Sequence, residues 1–317
     1  MLRSVRNHFS NHNAEVQSTI KLIDIEERFD LAFSRFFGLY FAKLGKFFNM
    51  TPTQVSIISL IIGVTGGYML FYQDSWVITV WASVLITLAG VLDSADGQLA
   101  RMTGQSTELG RFIDGFIDSA IFIAIYLSAC AYYVQGEMGW SIFLLAIPAG
   151  IISHIFTSQI YDFYKSEFLY YVAGSESSKV KKVEELPDAS EEEGFWNKFF
   201  RRLEIDYTKR QWLLVTRTEE MRDVYEEVAF NEDTKEQFRE KYRATFNPIM
   251  FWWALVGGTN THRTLIMLFS IMGRFDLYLI VCLIKLIPIA IVILAQKFMD
   301  EDFMKELKFQ FATQESA

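Results

Sequence analysis

Asp93 and Asp96 stand three residues apart, and Asp114 and Asp118 stand four apart. Either spacing puts both carboxylates on one face of a helix. Because Asp96 and Asp114 are only 18 positions apart, two consecutive helices can present all four acids to one small volume. Acids gathered that way repel one another unless cations occupy the cluster, and hard Mg²⁺-type ions favour carboxylate oxygen. Gly97, Ala100 and Gly110 keep bulk off or near the same faces, which lets a ligand approach the backbone. Arg101 adds a fixed cation for phosphate. The chemistry expected is a metal-held diphosphate. The competing reading, in which the acids only pair with arginines or cap helices, has just Arg101 and Arg111 nearby for four charges.

The elements that must position these acids are membrane helices. The chain has 317 residues, of which 51% are hydrophobic, 16% aromatic and 21% charged. Its apolar residues are segregated into runs at Val55 to Phe71, Trp76 to Leu92, Phe112 to Tyr133, Trp140 to Phe156 and Leu277 to Ala295. At the helical rise these are about 25 to 33 Å long, enough to cross a hydrocarbon core of about 30 Å. A further span is expected within Leu255 to Gly273, its first half diluted by Thr259-Asn-Thr-His262-Arg263. The fold class expected is therefore an all-α polytopic bundle of six transmembrane helices, with both termini on one side.

Basic residues choose the side. The loops near Gln73-Asp74 and Gln135-Gly-Glu137 carry none, and the one from Gly273 to Asp276 carries Arg274 alone. Arg3, Arg6, Lys21, Arg28, Arg35, Lys43, Lys46, Arg101, Arg111, the segment 161–247 and the tail all fall opposite. The positive-inside rule makes that side, and with it the acidic motif, cytoplasmic. The expected organisation is a segment 1–50 with an interfacial helix, spans one to four over 51–160 containing the motif at 93–118, a helical cytoplasmic insert at 161–247, spans five and six over 248–296, and a cytoplasmic tail at 297–317. Met1 to Thr19 lacks the apolar core of a cleavable signal peptide. Ile20 to Met50 interleaves aromatics and leucines with charges, as an amphipathic helix lying in the interface does. The tail reads as a second such helix, through Phe298, Phe303, Leu307, Phe309 and Phe311. In the insert, the acidic run Glu184 to Glu193 reads as a solvated loop, and Phe195-Trp196, Phe199-Phe200 and Trp212 as surfaces that dock on the membrane or cover the site.

The full pattern D-x2-D-G-x2-A-R-x8-G-x3-D-x3-D resembles that of the CDP-alcohol phosphotransferase (CDP-alcohol phosphatidyltransferase) family. All eight fixed positions match, at Asp93, Asp96, Gly97, Ala100, Arg101, Gly110, Asp114 and Asp118. At average residue abundances, a chance match is well below about one in a million. The resemblance implies two divalent cations, Mg²⁺ or Mn²⁺, on Asp93, Asp96, Asp114 and Asp118, with Asp118 also the general base. It implies a CDP pocket shaped by Asp96, Gly97, Ala100, Arg101 and Gly110. The activity implied is transfer of a substituted phosphate to an alcohol hydroxyl with release of CMP, in phospholipid biosynthesis, by a multi-pass membrane homodimer (in the plasma or inner membrane if bacterial). A CDP-diacylglycerol donor is favoured because the motif lies at the lipid interface; the alternative is head-group transfer from a CDP-alcohol to a lipid. The family's Thr-Pro-Asn at the foot of the first span appears here as Thr51-Pro52-Thr53, so an amide contact at position 53 is lost, while Pro52 suits a first helical turn and Thr51 its cap.

Other classes fit less well. UbiA-type prenyltransferases place their acidic motifs on widely separated helices, without a Gly-x2-Ala-Arg element between them. An ion transporter would call for inverted halves or acids at the midplane, and neither is seen. The net charge of −8 gives a nucleic-acid partner no support. Cys130 and Cys282 lie within spans as small apolar filler. His8 and His12 are expected in solvent. His154, near the end of span four, fits a satisfied polar face or a substrate pocket, and His262 with Arg263 fits contact with a phosphate. Lys285, in mid-span, fits either a structural pair or a cavity lining for acceptor or lipid.

Overall fold

A computed structural model describes residues 15–17, 22, 25, 30–105, 108–190, 192–215, 218–228 and 231–315. His8, His12 and most of the expected helix before Asp30 lie outside the described residues. Every regular element described is helical. The chain divides into two compact units, one of Met1–Ile155 with Gly258–Ile284, the other of Phe156–Gly257 with Lys285–Ala317.

The first unit contains α1 (Arg35–Phe47), α2 (Pro52–Met69), α3 (Trp76–Thr103), α4 (Glu108–Val134), α5 (Ile142–Gly150), α10 (Thr259–Ile271) and α11 (Phe275–Ile284). Thr51 and Gln54 form a reciprocal cap at the start of α2, where Pro52 occupies the first turn, as expected. The packing face of α2 is small. A Cβ on Gly66 would stand 3.0 Å from the Ala82 carbonyl oxygen of α3, and one on Gly67 3.0 Å from the Ile125 amide nitrogen of α4. Ile57, Ile61 and Val64 point outward. That inversion of soluble-protein packing is what helices surrounded by hydrocarbon require. The same holds for α1, which lays Gly38, Leu39, Ala42 and Gly45 inward while Phe37, Tyr40, Leu44 and Phe47 stay exposed. Gly38 packs against Val91 and Ala95, so α1 lies on the acidic end of α3.

Five helical runs among the described residues are long and apolar enough to cross a membrane: Pro52–Tyr72, Trp76–Thr103, Ile113–Val134, Gly139–Ala173 and Phe275–Leu307. The fifth span expected within 255–273 is not one of them. That stretch is split between the end of α9 (Glu232–Gly257) and α10, which has only 13 residues and opens on polar Thr259, Asn260, His262 and Arg263. Gly257 fits closely against Tyr161 and Thr157, while extended Gly258 caps α10. Lys285 also differs from expectation: it stands at a break between α11 and α12 (Leu286–Glu315) rather than inside one helix. Pro288 explains the break, because it has no N–H to offer the Ile284 carbonyl. Pro148 lies in α5 just ahead of a π-helical stretch, Ile151–Thr157, that carries His154.

The second unit comprises α6 (Ser158–Ala173), α7 (Phe195–Leu214), α8 (Thr218–Val228), α9 and α12. The tail is not a separate surface helix, since α12 runs without interruption through Glu315 and buries Phe303, Met304 and Leu307. Phe303 packs edge-on against Phe238, Tyr242 and Phe246. Burying those rings stabilises the unit more than leaving them at an interface. Arg222 grips buried Glu167 through two nitrogens and lies over the Trp212 ring. Trp212 donates to the Lys181 carbonyl, so it serves this core, whereas Phe195 and Trp196 are exposed.

Candidate active site

The acids lie where α3 ends and α4 begins. Left-handed Gly104 terminates α3 with its amide on the Ala100 carbonyl, a conformation that glycine adopts without penalty. Asp93 and Asp96 occupy the last turns before that cap, and Asp114 and Asp118 the early turns of α4. One carboxylate oxygen from each of Asp93, Asp96 and Asp114 falls within 4.8 Å of the others. Asp96 is buried and accepts a hydrogen bond from Ser56 Oγ at 2.5 Å. Oδ1 of Asp114 is buried without a hydrogen-bond donor among the described residues. A buried carboxylate oxygen lacking a donor is costly unless a cation supplies its ligand. The trio therefore fits a hard divalent ion, whose preferred ligands are such oxygens.

Asp118 does not join the trio. It accepts a charge-assisted bond from Arg263 Nη2, while Arg263 Nη1 lies 3.7 Å from Asp93. The first turn of α10 is held in turn by Asn260, whose Nδ2 donates to Asp30 at 3.0 Å. Asp30 also receives Ser94 Oγ at 3.4 Å and approaches Arg35 Nε at 3.9 Å. Arg101 lies over Gly97, with its Nη1 3.4 Å from where a Cβ would be. The motif's missing side chain thus lets that guanidinium lie close against the α3 backbone.

The candidates outside the motif separate. Arg263 joins the acids. His262, buried, and His154, half-buried, instead form an aromatic group: their rings are 4.9 Å apart, His154 lies 4.1 Å from the Phe122 ring, and His262 Nδ1 meets the Tyr278 hydroxyl at 3.3 Å. That hydroxyl receives Tyr126 at 3.1 Å. Lys285 stands in the other unit. Sequence reasoning missed Ser56, Asp30, Ser94 and Asn260 as supports of the site. Only Ser56 had a usable signal, since it lies one turn beyond the Thr51-Pro52 cap.

Residues 49–162 match the sequence model of the family described as CDP-alcohol phosphatidyltransferase, a range that contains the whole acidic cluster. Over that segment, the chain is similar to the CDP-alcohol phosphatidyltransferase family. Among curated relatives, archaetidylinositol phosphate synthase of Pyrococcus horikoshii is 29% identical over 118 residues, covering 37% of this chain and 57% of that protein. Ethanolaminephosphotransferase 1 of Pongo abelii is 26% identical over 105 residues, 33% of this chain and 26% of the relative. A bifunctional IPC transferase and DIPP synthase of Thermococcus kodakarensis is 26% identical over 105 residues, 33% and 23% respectively. The chain spans little more than half, or less, of each of these relatives.

Ser56 offers a direct test of how the fold supports the acids. Replacing Ser56 by Ala removes the donor to Asp96 and is expected to weaken Mn²⁺ binding about 10- to 100-fold, as loss of a hydrogen bond behind a metal ligand does. An electron paramagnetic resonance titration of free Mn²⁺ measures this. Unchanged affinity would show that the hydroxyl serves only the Pro52 carbonyl, 3.1 Å away.

Proposed function

We propose that the protein transfers a substituted phosphate, with phosphatidyl from CDP-diacylglycerol as the favoured donor group, to the hydroxyl of an alcohol and releases CMP. The observation that carries this reading is the gathering of Asp93, Asp96 and Asp114 within 4.8 Å inside the matched family segment. Divalent ions, Mg²⁺ or Mn²⁺, held by these acids with Asp118, would neutralise diphosphate oxygens and stabilise the charge that develops as CMP departs. Arg101, lying against Gly97, receives the CDP moiety with Ala100 and Gly110. The acceptor oxygen forms a bond to the phosphorus remote from cytidine, the bridging P–O bond breaks, and its electrons leave with CMP. Asp118 takes the hydroxyl proton, Arg263 having held that carboxylate in place beforehand.

The basic asymmetry of the loops supports a cytoplasmic position for the motif. The homodimer implied by the family resemblance belongs to the same proposal. A second reading, head-group transfer from a CDP-alcohol to a lipid, is favoured by the name ethanolaminephosphotransferase 1 carried by one relative. Purified protein assayed for CMP release against a panel of CDP donors and alcohols separates the two. The favoured reading expects CMP from CDP-diacylglycerol with a soluble alcohol; CMP only from a soluble CDP-alcohol with a diacylglycerol acceptor would replace it with the second.

A further inference from the structure

Three motif carboxylates form a group, while the fourth is already taken. Arg263 is 6% exposed, and it bonds Asp118 with one nitrogen while holding the other 3.7 Å from Asp93. The chain has made room for it. Gly90 lies one turn before Asp93, and a Cβ there would stand 2.7 Å from Arg263 Nη1. The Asn260–Asp30 bond, one turn earlier on α10, fixes the direction from which the guanidinium enters. This arrangement sets one positive charge between two acids of the cluster, and a divalent ion reaching for Asp118 meets both a competitor for its oxygen and a like charge.

We infer that Arg263 is a resident counter-cation that divides metal loading into two unequal steps, the first at Asp93, Asp96 and Asp114, the second only as Arg263 yields Asp118. The inference rests on the metal reading of the acids given above. It makes Arg263 a positioning residue that holds Asp118 back from premature coordination and keeps the metal-free cluster from repelling itself.

The test uses the full chain in detergent or nanodiscs, with Mn²⁺ as the probe and free Mn²⁺ followed by electron paramagnetic resonance. Unmodified protein should show a tighter and a weaker class of site. Arg263→Gln keeps a donor near Asp118 but loses the charge, so the weaker class should tighten at least about tenfold, a small part of what one charge at contact distance is worth near a protein surface. The metal-free melting temperature should fall, and saturating Mn²⁺ should recover more of it than in unmodified protein. Arg263→Lys should bind Mn²⁺ nearly as unmodified protein does. A binding curve for Arg263→Gln that superimposes on the unmodified one, or is weaker, overturns the inference. Should Arg263→Gln fail to fold, Gly90→Ala presses on the same guanidinium and must tighten the weaker class; no change there overturns it equally. Unmodified protein that binds no Mn²⁺ would instead defeat the metal reading itself.

Discussion

Asp93→Asn and Asp114→Asn are expected to lose metal binding and phosphate transfer together, by about a hundredfold or more, since each removes one charged ligand of a compact trio and ligands matter at least as much as the groups behind them. Asp114 is the sharper case. Its buried Oδ1 has no donor among the described residues, and an amide there sets an N–H₂ among carboxylates without restoring charge. Mn²⁺ titration and CMP release measured on the same samples check this prediction. Normal Mn²⁺ affinity in both variants would remove the trio as the metal site.

Asp118→Asn should part company with them. Asp118 is held by Arg263 outside the trio, so its amide variant should still bind Mn²⁺ at Asp93, Asp96 and Asp114. What it loses is the ability to accept a proton. Loss of a general base lowers the rate about a hundredfold to ten-thousandfold. Single-turnover CMP release measures the drop. Near-normal transfer would exclude Asp118 as the base, and loss of all Mn²⁺ binding would leave it only a coordinating role.

The site was legible in the sequence where function depends on local spacing. Asp93 with Asp96, and Asp114 with Asp118, lie on helix faces that i, i+3 and i, i+4 spacing defines, and the fold brings three of the four together while Arg263 holds Asp118 apart. The apolar runs located four of the crossing helices and the apolar core of the last, because hydrocarbon-length runs leave few alternatives. What the sequence hid depends on tertiary contact. Asp30 and Asn260 are 230 positions apart, and nothing local in either segment announces that they bond. Arg263 read as a phosphate contact because its partners, Asp118 and Asp93, lie on helices distant in sequence. The expected fifth span failed for a local reason: hydropathy averaged across Gly257-Gly258, where one helix ends and another begins. The tail misled because Phe303 and Leu307 alternate with charges, and that pattern marks an interfacial helix and a helix buried on one side alike.

Metal-dependent transfer from a CDP-linked donor at the Asp93, Asp96 and Asp114 cluster is tested by the CMP that the purified full chain forms before chelation, after stringent metal removal and after Mg²⁺ is restored. CMP is expected only when donor, alcohol and metal are all present, with activity abolished by chelation and recovered with Mg²⁺. CMP formation that survives metal removal, or none from any donor and alcohol pair in saturating Mg²⁺, would contradict it.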